Sequence, residues 1–172
     1  MATATADLSP LGLENPMGTD GFEFVEYAAP DPALLRTLFD KLGFPAIARH
    51  RSQDITLHRQ GDINFLINAQ DESHAADFSA AHGPSAVAMA FRVKDAAAAH
   101  ARALELGATD VTDRGLGWPA IEGIGGSLLY LVDRYGDAGS AYESEFKFED
   151  GWQAKVREAT AHLTYLDHLT HN

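Results

Sequence analysis

The sequence contains no cysteine. That absence removes disulfides, thiolate nucleophiles and every zinc or iron–sulfur site built on sulfur, leaving histidine and carboxylates to hold any metal. Positive charge is scarce. Thirteen Lys and Arg stand against 25 Asp and Glu, for a formal net charge of -12 and a pI near 4.9. Such a chain repels phosphate backbones and anionic lipid, and no run of five basic residues makes a local exception, so neither nucleic acid nor a membrane is expected as a partner. Long apolar runs are also missing, which argues against a membrane span. The first basic residue is Arg36, and the opening segment has no continuous apolar core, so it reads as neither a signal peptide nor an Arg-rich transit peptide. The expected location is the cytoplasm.

What is present is ordinary for a folded protein: 172 residues, 45% hydrophobic and 22% charged. A chain of this size buries roughly 69% of its unfolded surface, enough for one core. Residues 1–20, rich in Ala, Thr, Pro and Gly without periodicity, read as a flexible leader, and the domain is expected to start near Gly21. Phe22 to Ala28 alternates like a half-buried strand. Asp31 then caps a helix with Pro32 at its first position and Leu34, Leu35, Leu38, Phe39 and Leu42 on one face, stopped by Gly43. Strands are expected at 44–51, 54–60 and 62–68.

The sequence also repeats itself. FVEYAAPDPALLRTLFDKLGF from Phe24 falls without a gap on AMAFRVKDAAAAHARALELGA from Ala88, an offset of 64 residues that matches Asp31 with Asp95 and Gly43 with Gly107. The second unit continues through short strands at 108–112, 118–123 and 127–133, and residues 73–84 read as a helical connector. Two tandem βαβββ units over 21–136 therefore form one α+β domain. Residues 137–160 read as a connecting segment with one strand and a helix-compatible run at 152–159. LTYLDHLTHN, residues 163–172, opens a strand-like alternation with no partner strand of its own, from which a further domain downstream is expected.

Eight histidines invite a metal reading. His50, His58, His74, His82, His100 and His162 stand singly, with no second ligand at a spacing that forces convergence, and are read as solvated or hydrogen-bonded. His168 and His171 lie in the dense patch Asp167-His168-Leu169-Thr170-His171. On a strand, His168 would share a face with Leu166 and Thr170 while His171 points the other way, so the two cannot bind one ion. Spacing alone identifies no second ligand for His168. Gly123-Ile124-Gly125-Gly126 reads as a turn between strands rather than a phosphate cradle. Asp133-Arg134 and the Glu143, Glu145, Glu149, Asp150 cluster read as solvated charge.

The strings NPMGTDGFEFVEYAAPDP, HRSQDITLHRQGDINFLIN, HGPSAVAMAFRVKDAAAAHARALELGA, PAIEGIGGSLLYLVDRYG and LDHLTHN together resemble the bacterial 4-hydroxyphenylpyruvate dioxygenase family over nearly all of residues 15–172. The resemblance implies the vicinal oxygen chelate (glyoxalase/bleomycin-resistance-like) fold, in which paired βαβββ units wrap a sheet into a half-barrel with helices outside. It also implies a two-domain, non-haem Fe(II) enzyme of tyrosine catabolism that converts 4-hydroxyphenylpyruvate and O2 to homogentisate and CO2. Its iron lies in the second domain on two His and one Glu. By that resemblance His168 is the first iron ligand, residues 161–172 open the C-terminal catalytic domain, and the other two ligands lie beyond Asn172. The fragment alone is then expected to be inactive and not to hold iron. Where the related fold places ligands, seven residues before each capping Asp, this sequence has Phe24 and Ala88, neither able to coordinate. A homo-oligomer is expected. Two other readings stay open: a hydroxymandelate synthase-like dioxygenase, and a free-standing module of the same fold holding a small hydrophobic ligand.

Overall fold

A strand buried on both faces must be apolar nearly throughout, and the segment from Phe22 to Ala28 comes close to that, interrupted only by two glutamates. In the computed structural model, which describes residues 14–159 and 161–170, this segment lies within the central strand of the molecule. The elements are β1 (Thr19–Ala28), α1 (Pro32–Lys41), β2 (Ala46–His50), β3 (Ile55–Gln60), β4 (Ile63–Asn68), α2 (His74–His82), β5 (Ser85–Val93) and α3 (Ala96–Glu105), followed by β6 (Ala120–Glu122), β7 (Leu128–Val132), β8 (Phe146–Phe148) and α4 (Trp152–Arg157). The eight strands form one open sheet in the order β6-β7-β5-β1-β4-β3-β2-β8. Among the described residues no helix is long and apolar enough to cross a membrane.

The helix signals act as the sequence predicts. Asp31 is extended and its side chain accepts from Ala33 N at 3.0 Å, while Asp95 accepts from Ala98 N at 2.9 Å. Gly43 and Gly107 end the two helices at φ +81° and +95°, a region open to glycine and costly for residues with a Cβ. The apolar face expected on α1 is only partly used: Leu35 and Phe39 are buried, whereas Leu34, Leu38 and Leu42 are exposed at 63%, 48% and 46%. A helix resting on one sheet face covers a narrow stripe, and residues i and i+4 fill it.

The repeat is also the symmetry of the sheet. Adding 64 to the parallel β1–β4 register Val25↔Phe65, Glu26↔Leu66, Tyr27↔Ile67 gives Met89↔Leu129, Ala90↔Tyr130, Phe91↔Leu131, and these are the observed β5–β7 pairs. Between the units, β1 and β5 run antiparallel with Val25 opposite Met89. Those two residues are themselves equivalent under the repeat, so the pseudo-twofold axis passes between them. The second unit is the poorer copy. The strand expected at 108–112 shrinks to a single bridge, Asp110 to Ile121. At the other end of the sheet, β8 adds antiparallel to β2 and covers its free edge.

Outside the sheet, α1 packs Leu35 and Phe39 against Phe44, Ile63 and Ile67, and α3 packs Ala96 and Ala99 against Val93 and Leu131. The inner face holds the main core, built on Phe24, Leu66, Ala88, Ala90, Leu128 and Tyr130. Here the expectation of helices outside is refined: α2 and α4 press Ala75, Phe78 and Trp152 against that inner core.

The strand expected at 163–172 does not form among the described residues. His162 turns the chain at φ +56°, and residues 162–170 are irregular. Their main-chain contact with the sheet is the β3–β4 turn, where Asp62 N donates to Thr164 O at 2.7 Å and the Gln60 amide oxygen accepts from Leu163 N at 2.8 Å. A turn offers no strand edge to pair with. Gly61 makes the approach possible, since a Cβ there would stand 2.5 Å from Leu163 O. Leu166 and Leu169 are the half-buried residues of this segment, a spacing of three, so Leu166 and His168 do not share an environment. The orientation expected of His171, and all expectations for residues 1–13, lie outside the described residues.

Phe24 sits at the centre of the inner core with Trp118, Tyr130 and Tyr142 at ring distances of 5.3, 5.5 and 6.5 Å. Removing a ring so enclosed leaves a cavity that the surrounding core cannot fill. Phe24→Ala should lower the urea unfolding free energy by about 3–5 kcal/mol, whereas Leu38→Ala on the exposed stripe should change it by less than about 1 kcal/mol.

Candidate functional site

The concave face of such a sheet is where ligands would enter, and in this chain rings close its middle. Phe24 and Ala88, the paired positions expected to be unable to coordinate, are 1% and 2% exposed and both lie in the inner core. Polar groups remain on either side of this plug.

On one side Glu26 of β1 is buried between side chains from β4 and β7, the latter reaching across β5. Its carboxyl accepts from Asn68 Nδ2 at 2.7 Å and from the Tyr130 hydroxyl at 3.3 Å, and that hydroxyl in turn accepts from Leu116 N at 3.2 Å. Burial raises the Glu26 pKa above its ordinary value of 4.5, and the two donors only partly offset this. Burial and the neighbouring Glu26 also push the Tyr130 phenol strongly upward.

On the other side a polar row crosses four adjacent strands. Arg59 on β3 donates through Nε to Asn64 Oδ1 at 2.6 Å. Asn64 on β4 donates to Glu23 O at 2.9 Å and faces its Oε1 at 3.4 Å. Arg92 on β5 donates through Nε to Glu23 Oε2 at 2.6 Å. Tyr142, from the segment after β7, closes the row from above by donating to Glu23 O at 3.4 Å. Burial opposes the charge on Arg59 and lowers its pKa, with Tyr142, Glu23 and Asp62 acting the other way. It also opposes the charge on Arg92, but the Glu23 carboxylate beside that guanidinium lifts it above the ordinary value. A recess of about 200 Å³ lies over this row, with Arg134 and Tyr135 at its rim.

Sequence reasoning missed this row. Its members are scattered from position 23 to 142 and each looks unremarkable alone. The signal that could have found it is the placement of Arg59 and Arg92 inside strands whose other residues are mostly apolar and buried, where an arginine needs a partner.

The histidines do not converge. His58 is buried with Nδ1 at 2.9 Å from Phe44 O, and burial lowers its pKa. His74 meets Gly126 O at 2.7 Å, and His100 lies 3.3 Å from Asp110. His168 is 76% exposed in its side chain and holds its Nδ1 at 2.8 Å from Asp167 Oδ2. Among the described residues no three His, Asp or Glu side chains come together to hold a metal ion. A centre of two His and one Glu therefore does not fit the described part of this chain, which offers His168 as a single donor.

The raised Glu26 pKa has a sign that can be measured. Between 4.5 and its raised folded value, the native state binds a proton that the unfolded state has lost, so stability falls as pH rises through this window. His58, with a lowered pKa, works in the opposite sense, adding stability as pH rises toward 6.5. Glu26→Gln removes the first effect and leaves the second. The difference in urea midpoint between this variant and the parent should therefore move in favour of the variant as pH rises from 4.5 toward 8, and a constant difference would refute the assignment.

With the geometry in hand, known proteins can be set beside it. A family model described as "Hydroxyphenylpyruvate dioxygenase, HPPD, N-terminal" matches residues 13–147. The 4-hydroxyphenylpyruvate dioxygenase of Pseudomonas aeruginosa is 51% identical over 165 residues, 92% of this chain and 45% of that protein. Among solved structures, a xylose isomerase-like TIM barrel/4-hydroxyphenylpyruvate dioxygenase fusion protein superposes with a TM-score of 0.70 at 35% identity, covering 84% of this chain and 25% of that one. Methylmalonyl-CoA epimerase from Mycobacterium tuberculosis superposes with a TM-score of 0.53 at 23% identity, covering 70% of this chain and 91% of that one, a likeness of fold alone. The chain spans less than half the length of the Pseudomonas relative.

Proposed function

The chain belongs to the 4-hydroxyphenylpyruvate dioxygenase family, and from that membership we propose that it is the N-terminal, non-catalytic part of an Fe(II)-dependent subunit converting 4-hydroxyphenylpyruvate and O2 to homogentisate and CO2 in the cytoplasm. The observation that carries this reading is the 51% identity to the Pseudomonas aeruginosa enzyme across 92% of the chain. Residues 21–136 are then the first vicinal oxygen chelate domain, 137–160 the connector, and 161–172 the opening of the catalytic domain. The closed inner face suits this division: with rings filling the cup around Phe24, the domain serves as a rigid support.

In this reading His168 is one of three protein ligands to iron, the other His and the Glu coming from the half of the longer relatives that this chain does not span. Iron, when bound, supplies orientation of the 2-oxo acid and activation of oxygen. The contribution of this chain is positional. Gln60 and Asp62 bind the main chain at Leu163 and Thr164, Leu166 rests against the α1 side of the sheet, and Asp167 accepts a hydrogen bond at Nδ1 of His168. If Nδ1 carries the proton in that contact, Nε2 is the nitrogen left to act as a ligand.

In a full-length subunit, His168→Ala should reduce iron affinity by more than about 100-fold, with loss of turnover, whereas His171→Ala should retain iron. Metal analysis of the two purified variants decides between them, and iron kept without His168 but lost without His171 overturns the assignment. The 172-residue chain on its own should show no oxygen uptake with 4-hydroxyphenylpyruvate and Fe(II). Turnover at the rate of a full-length enzyme would refute the division of labour.

A further inference from the structure

We propose that the recess over the Arg59–Asn64–Glu23–Arg92 row is a binding site for a small organic monocarboxylate. This inference stands apart from the dioxygenase reading, since it uses neither iron nor any residue of the 161–170 segment.

The argument begins with charge. Three of the 13 basic residues of an acidic chain, Arg59, Arg92 and Arg134, line one recess. Arg92 is neutralised by Glu23 at 2.6 Å. Arg59 is not: its Nε is taken by the neutral Asn64, and among the described residues no carboxylate comes within ion-pairing distance of it. It is nonetheless half-buried and held between two rings, with the guanidinium carbon 5.6 Å from the centre of Tyr142 and 5.4 Å from that of Trp152. A guanidinium fixed in this way has lost much of its water and gained no direct ion pair, with Glu23 and Asp62 acting on it only from beyond pairing distance, so an anion that reaches it would recover part of that loss. Arg134 stands exposed at the rim, also without an ion pair among the described residues.

The class of anion follows from what else lines the recess. Among the residues lining the recess, Glu23 and Asp62 set two carboxylates against the three guanidiniums, and Asp20 beside Tyr135 is a third acid close by. A monoanion brings the least negative charge into a recess where acids already lie beside the guanidiniums, whereas a phosphate dianion would set two further negative charges against Glu23 and Asp62. The planar fork of a guanidinium accepts a carboxylate edge-on through two parallel hydrogen bonds. The body of the ligand would lie against Tyr135. The volume, about 200 Å³, equals some six or seven waters at about 30 Å³ each, room for a carboxylate carrying one ring.

The test is titration of the 172-residue chain with 4-hydroxybenzoate, followed by ¹H–¹⁵N NMR. The amides of Gly61, Gly139 and Ser140 should shift and saturate. Arg134→Gln, a change at an exposed position, should weaken binding about tenfold. Arg59→Lys should weaken it at least as much, because an ammonium keeps the charge and loses the fork. Circular dichroism reports whether each variant is folded, and Arg134→Gln alone decides if Arg59→Lys is not. Shifts that fail to saturate by about 10 mM, an affinity unchanged by Arg134→Gln, or tighter binding of inorganic phosphate at the same amides would each overturn the proposal.

Discussion

The pairing of β1 with β5 is the constraint on which the rest of the structure depends. Each βαβββ unit has one strand that must be covered on both faces and along both edges, and neither unit can do this alone. Placing Val25 opposite Met89 solves the problem for both at once: each central strand gains an antiparallel neighbour from the other unit and a parallel one from its own. The same register brings Glu23 beside Arg92 and Glu26 beside the core that carries Tyr130. One set of main-chain hydrogen bonds thus fixes the fold, the buried acids and the row of polar side chains over the recess.

The two glutamates of β1 show how environment separates identical side chains. Glu23 faces a guanidinium and accepts a charge-assisted hydrogen bond, so it completes an ion pair at the edge of the core. Glu26, three residues on, finds only an amide and a phenol and is driven toward its neutral form by burial. The inner face between them is filled by rings, which leaves it closed at its middle with a polar recess at its margin.

Much of this was legible in the sequence because it rests on local chemistry repeated twice. Asp31 with Gly43 and Asp95 with Gly107 marked both helices, and the offset between them carried through to the strand pairs of the finished sheet. What could not be read depended on a third dimension. The leucines of α1 looked like one face, yet the sheet covers only Leu35 and Phe39. LTYLDHLTHN alternates like a strand, but alternation specifies a strand only where an edge is available, and the β3–β4 turn that receives it has none. The recess was invisible for the same reason, since its residues come from four strands and a loop and are joined only by the register.

The short strand β8 has a consequence for how the molecule is made. It pairs Phe148 with Ala48, residues a hundred positions apart, and in doing so seals the edge of β2. During synthesis the first unit can assemble its own hairpins long before residue 146 emerges, so β2 spends that interval as a bare edge carrying Ile47, Ala48 and unpaired main-chain groups. The nascent chain is therefore most prone to stick to its neighbours just before residues 146–148 emerge, when most of the sheet is built and its final seam is still open.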